Sequence, residues 1–193
     1  MLFMKKKNYH SYQLALVGLL LLLQYSCAIC SAKRTARGNV IPKKFKDWYV
    51  TKAEDLYPKD LIDTTAIYYI CEDPDAYDPP RCHFMRFFAD GKLYSSTALD
   101  SLNNEVANNM VNGYTGYYLI KDGELIIKTY DYAYCGYYVI GWAKIFEDRI
   151  VVYKIKTYSS SRVDYYPDSS YAKERNDVYY KLDVGELYSQ PDW

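Results

Sequence analysis

Histidine is scarce in this chain. There are two, His10 and His83, and His10 lies in an N-terminal stretch that reads as an export segment, so imidazole chemistry in the folded part rests on His83 alone. Zinc sites built from two or three histidines are excluded, as is H-E-x-x-H. Cys82 precedes His83, but adjacent residues of a strand point to opposite faces, so the two make a poor catalytic pair. His83 reads as a half-exposed strand residue. No G-x-S-x-G, P-loop or G-x-G-x-x-G occurs. Glu72, Asp73, Asp75 and Asp78 crowd one segment, and oxygen ligands of this kind suit calcium. They lack the regular D-x-D-x-D-G spacing with its central glycine, so solvated turn acids are the better reading. No carboxylate pair stands out for glycoside hydrolysis. The chain is therefore expected to have no catalytic residues, no metal and no cofactor, and to bind rather than catalyse.

Charge narrows the partners further. The 193 residues carry 24 Lys and Arg against 24 Asp and Glu. Three of the basic residues, Lys5, Lys6 and Lys7, stand in the N-terminal segment, which holds no acid. The remaining balance is mildly acidic and offers no basic footprint for nucleic acid.

The N-terminus has the order of a secretory signal: a cationic start, the apolar run Leu14 to Leu23, then small residues. The run is too short to span a bilayer as a helix. Ser26-Cys27 follows, and this ending resembles a bacterial lipoprotein signal, although Gln24 stands where leucine is usual. The resemblance implies acylation of Cys27 and a membrane anchor. It divides the chain into a signal peptide (1–26), a lipid-attachment and flexible-tether segment (27–46) and a folded domain (47–193). In a two-membrane bacterium the anchor would sit in the outer membrane. The absence of acids after Cys27 favours the periplasmic face. Ordinary cleavage after Ala32, giving a secreted protein, is the alternative.

Export also permits disulfides. Cys71 and Cys82 flank a turn-rich segment at the ends of two apparent strands, and they are expected to pair. Cys30 and Cys135 remain, either paired with each other or reduced.

Twenty-five tyrosines and six phenylalanines lean the composition towards strands. Trp48 to Val50 and Thr64 to Cys71 read as strands. Three hairpins follow: 83–97 about Asp90-Gly91, 114–130 about Asp122-Gly123, and 137–156 about Glu147-Asp148. Asp-Gly between apolar runs signals a type I′ turn, whose two central residues both need positive φ. Leu99, Leu102, Val106 and Met110 recur at helical spacing, predicting a short helix or lid within 99–110, with Asp100 and Ser101 as candidate caps. Tyr158 to Arg175 reads as a long loop, and Asp177 to Leu182 as the last strand.

Phe87-Phe88-Ala89-Asp90-Gly91-Lys92-Leu93-Tyr94, the segment Gly116 to Ile127, and Tyr179-Tyr180-Lys181-Leu182 together resemble the strand pairs of small bacterial lipocalin-like lipoproteins, over roughly residues 47 to 183. Trp48 lacks the glycine that usually stands two residues before it in that group. The resemblance implies an all-β fold: an antiparallel up-and-down meander closing into a barrel of about eight strands. Such a barrel holds one small ligand or is filled by its own side chains.

Five tyrosine pairs punctuate the strands. One member of each pair should face inward and the other outward, and cross-strand packing accounts for most of them. Tyr158, Tyr165, Tyr166 and Tyr171 fall in the expected loop, where packing explains them less well, so they are candidate partner contacts. The leading expectation is an anchored binding protein for a small apolar or amphipathic ligand. An adhesion or glycan-binding module using surface tyrosines, and an envelope structural or inhibitor protein with a filled core, are the alternatives.

Overall fold

In a computed structural model, residues 32–42, 61–73, 75, 81–99, 101–131, 137–159 and 172–193 are described. Among these are ten strands and one helix. The strands are β1 (Ala32–Arg34), β2 (Val40–Pro42), β3 (Ile67–Cys71), β4 (Cys82–Phe87), β5 (Lys92–Ala98), β6 (Tyr114–Lys121), β7 (Glu124–Asp131), β8 (Tyr137–Ile145), β9 (Arg149–Ser159) and β10 (Ala172–Leu182); the helix is α1 (Asn104–Asn108). From β3 to β10 each strand pairs antiparallel with the next. β10 then returns to β3 through Tyr180↔Tyr69, Lys181↔Tyr68 and Leu182↔Ile67. The result is a closed, eight-strand, up-and-down barrel, as the meander pattern predicted.

The turns differ from one another. Asp122 and Gly123 take φ of 53° and 78°, and Lys121 pairs with Glu124. That is the predicted two-residue turn with both central residues in the left-handed region. The Asp90 turn is different: Gly91 has φ 83°, while Asp90 is not in the positive region. Phe88 N donates to Lys92 O and Gly91 N to Phe88 O, each at 3.0 Å. The loop thus has three residues, a tight turn followed by a left-handed glycine, which is the next commonest hairpin solution.

Alternation sorts the side chains into an inside and an outside. Tyr68, Met85, Phe87, Leu93, Tyr118, Ile120, Leu125, Ile127, Ala143, Ile150 and Val152 form one buried cluster drawn from seven strands, which is the barrel interior. Phe87 sits edge-on between Tyr68 and Tyr118, with ring centroids 5.5 and 4.9 Å away. The tyrosine pairs split as expected. Tyr68, Tyr118 and Tyr179 belong to the interior, while Tyr69, Tyr117 and Tyr138 pack in clusters on the outer surface.

The outer surface is covered in two places. Over β3, β4 and β5 lie α1 and the C-terminal segment 183–193, burying Ile67, Phe84, Phe88, Tyr94, Ala107 and Met110. The helix falls within the predicted window, but its cap is Asn103, whose Oδ1 accepts from Val106 N at 3.0 Å. Arg86 points outward into this layer and is 2% exposed. Its guanidinium stacks over Phe88 at 4.7 Å and donates to Ser189 O at 2.8 Å and Asn108 Oδ1 at 3.2 Å. Desolvation holds its pKa below the usual arginine value.

The second cover is the β1–β2 hairpin. Val40 packs with Tyr130 and Tyr138, and its carbonyl accepts from Thr115 Oγ1 at 2.7 Å. Residues 32–42 were expected to belong to a flexible tether. They form a strand pair instead, because Val40 and Ile41 supply apolar surface that the outer face of the barrel buries. The final strand also begins earlier than expected, at Ala172, and β9 continues to Ser159. Both ends of the predicted loop 158–175 are thus strand, leaving 160–171 outside the described residues, as are Cys27, Cys30, Trp48 and Cys135.

Candidate ligand-binding site

The interior is not uniform along the barrel axis. At the end holding the Asp122-Gly123 and Asp90-Gly91 turns, Phe87, Leu93, Leu125 and Ile150 are fully buried. These side chains plug that end. Further from those turns the same inward face carries Ile70, His83, Ser95, Thr129, Val139 and Ile155, all only half-buried. The barrel is therefore filled at one end and solvent-accessible at the other.

The accessible half mixes polar and apolar walls. On one side, His83 of β4 and Thr97 of β5 are direct register partners. Thr97 Oγ1 lies 2.9 Å from His83 Nδ1, and Glu72 Oε1 lies 3.1 Å from His83 Nε2. Glu72 is fixed just beyond β3 by its backbone N–H, which donates to Arg81 O at 2.8 Å. Its Oε2 is buried and has no hydrogen-bond partner. A hydroxyl, an imidazole and a carboxylate are thus joined in a chain at the mouth, with the His83 side chain 44% exposed. Val139 of β8, the register partner of Thr157, and Ile155 of β9, the register partner of Gly141, lie on the far side of the eight-strand ring from β4 and β5. Between them and β3, burial and then the Asp177 charge push the Tyr179 hydroxyl above its ordinary pKa. Asp131 and Tyr137, register partners on β7 and β8, hydrogen-bond at 2.8 Å on the same rim.

No family model, curated protein or solved structure matches this chain. The functional reading therefore rests on the geometry.

Cys71 and Cys82 form the expected disulfide and stand opposite each other in the β3–β4 register. The bridge ties the two strands at the rim, one residue from both Glu72 and His83, and so helps hold the polar chain in place. Of the acidic segment, Glu72, Asp73 and Asp75 are described. Asp73 Oδ1 accepts from Asp75 N at 3.0 Å in a local turn, Glu72 is committed to His83, and Asp78 lies outside the described residues. Among the described residues no group of three or more His, Cys, Asp or Glu is arranged to hold a metal.

Of the four tyrosines singled out as partner contacts, Tyr158 alone is among the described residues. Tyr158 lies in β9 opposite Tyr138, and Tyr165, Tyr166 and Tyr171 fall outside the described residues. The site that sequence reasoning passed over is the one centred on His83. A lone histidine gave little signal, because its partners come from two neighbouring strands and only the register unites them.

Proposed function

We propose that this protein is an exported, lipid-anchored binding protein that takes one small amphipathic ligand into the accessible half of its barrel. The observation that carries the reading is the change along the inward face from full burial at the plug to half-exposure at His83, Val139 and Ile155. An eight-strand barrel is wide enough for one small ligand when its own side chains leave room. Binding sites of this kind pair an apolar wall with a few convergent polar groups. Here β8 and β9 supply the first, and Glu72, His83 and Thr97 the second. The disulfide is compatible with an oxidising, exported setting. The signal pattern ending at Cys27 supports the anchor, and the lipocalin-like resemblance accords with the barrel topology.

Titration of the full chain, as the cell processes it, with the neutral environment-sensitive dye Nile red tests this. One saturable site is expected. Val139→Trp fills the space above the plug and is expected to weaken uptake at least tenfold while leaving the far-ultraviolet circular dichroism unchanged. A folded protein that takes up no dye would refute the pocket. Mass spectrometry of the same preparation should show an acylated Cys27 at the N-terminus; an unmodified chain starting after Ala32 would mean secretion without an anchor.

A further inference from the structure

The hydrogen-bond chain at the mouth constrains what the ligand's polar end can be. A carboxylate only accepts hydrogen bonds, so in the neutral imidazole the Glu72 Oε1 contact places the ring proton on Nε2. Nδ1 is then the acceptor, and Thr97 Oγ1 must donate its only proton to it across 2.9 Å. The Thr97 oxygen is left with lone pairs and no donor to offer. Thr97 is exposed on the inward face, so the group presented to an entering ligand is an acceptor.

From this geometry we infer that the site selects ligands whose polar end is a hydrogen-bond donor without negative charge, an alcohol or an amine, and rejects carboxylates. The donor sits on Thr97 Oγ1, and the alkyl portion lies against Val139 and Ile155. An anionic head in the same place meets the Thr97 lone pairs, with the Glu72 charge directly behind His83. Asp131, on the inward face of β7, adds a second negative group. Arg81, whose carbonyl accepts from Glu72 N at 2.8 Å, is an exposed cation beside the β4 end of this rim, so it is the Thr97 lone pairs rather than the lack of a cation that set the preference. Lys173, the register partner of Ile155, and Arg175, which pairs with Asp177 at 3.8 Å, belong to β10. Thr97 is thus a specificity-determining residue, and Glu72 a positioning residue that acts through His83.

The inference rests on the barrel pocket proposed above, and its test keeps the two separate. Nile red bound to the full chain at pH 8 is displaced with decanol, decylamine and decanoate, which share a tail and differ at the head. Decanol and decylamine should displace the dye at concentrations about tenfold below decanoate. Thr97→Val keeps the shape and removes the oxygen; it should raise the concentrations needed of decanol and decylamine about tenfold and leave decanoate unchanged, the loss expected for one hydrogen bond. Thr97→Ser, which restores the hydroxyl, should recover the preference. Decanoate displacing the dye as well as decanol, or Thr97→Val shifting all three alike, would overturn the assignment of the head group while leaving the pocket intact. Failure of the dye to bind at all would overturn the pocket and this inference together.

Discussion

Asn108 shows how much one polar side chain holds in this molecule. Its Oδ1 accepts from Arg86, Tyr188 N and Ser189 N, and its Nδ2 donates to Glu186 O and to Asn104. The asparagines that weaken 99–110 as a helix are the groups that cap it and clamp the C-terminal segment. Asn108→Ala leaves several buried donors and the Arg86 cation without this acceptor. Each such orphan costs roughly 1–3 kcal/mol, partly relieved by relaxation, so a loss of about 3 kcal/mol is expected in urea unfolding. A loss below about 1 kcal/mol would mean that the clamp is dispensable. The same scale explains why the mouth was not legible. A two-residue turn at Asp90-Gly91 pairs His83 with Ala98 and leaves Thr97 opposite Phe84. The actual three-residue loop moves the register by one, and a slip of one reverses every cross-strand pairing on both faces. Nothing in the dipeptide distinguishes the two loops, so His83 and Thr97 stayed apart on paper.

Elements were easier to read than their attachments. Strands β4 to β9 follow from alternating apolar residues and tight turns, which are local signals. Closure of the ring is not local, because β3 and β10 meet more than a hundred residues apart. The C-terminal segment has no period to betray it: Val184, Leu187 and Trp193 pack on the outer face of the barrel from an irregular chain. This segment is also tied to the N-terminal hairpin. Asp192 accepts from Arg37 N at 3.1 Å and from Asn39 Nδ2 at 3.3 Å, and Arg37 Nη1 donates to Gln190 O at 2.9 Å. Burial pushes the Asp192 carboxyl up, but hydrogen bonds from Thr35, Arg37 and Asn39 and the Arg37 charge outweigh it, so its pKa lies below the ordinary 3.8. A carboxyl whose pKa is depressed by folding stabilises the folded state above its unfolded pKa, and that stabilisation is lost as pH falls through the folded value. Wild type should therefore exceed Asp192→Asn in unfolding free energy from urea titration at pH 6, by the few tenths to about 1 kcal/mol typical of a solvent-screened group, and the gap should close as pH falls below 3.8. A gap that persists unchanged at pH 3 would show that charge at Asp192 plays no part.

At the scale of the whole molecule, the barrel and its coverings form one compact unit, and the place where sequence and structure part most sharply is its beginning. Read by composition, residues up to 46 are basic, short on apolar periodicity and suited to a tether. Two strands of three residues each carry too little pattern to stand out, and only Val40 and Ile41 hint at burial. What makes them strands is the partner surface: Tyr130 and Tyr138 on the outer face of β7 and β8 need cover, and Asn39 completes it by donating to Met110 O at 2.9 Å and accepting from Gly113 N at 3.0 Å. Chains beginning at Ser31 and at Lys43 therefore test the boundary directly. The shorter one gives up the burial of two branched apolar side chains, worth about 1.5–3 kcal/mol each, and leaves the Asn39 partners unmet. It should be less stable by at least about 3 kcal/mol in urea. The inward-facing pocket is walled by strands the truncation does not remove, so under native conditions the shorter chain should still take up Nile red with a similar affinity. Equal stability of the two chains would return residues 32–42 to the tether; lower stability with dye uptake retained would make the hairpin an integral brace of the barrel and locate the ligand inside it, away from the covered outer face.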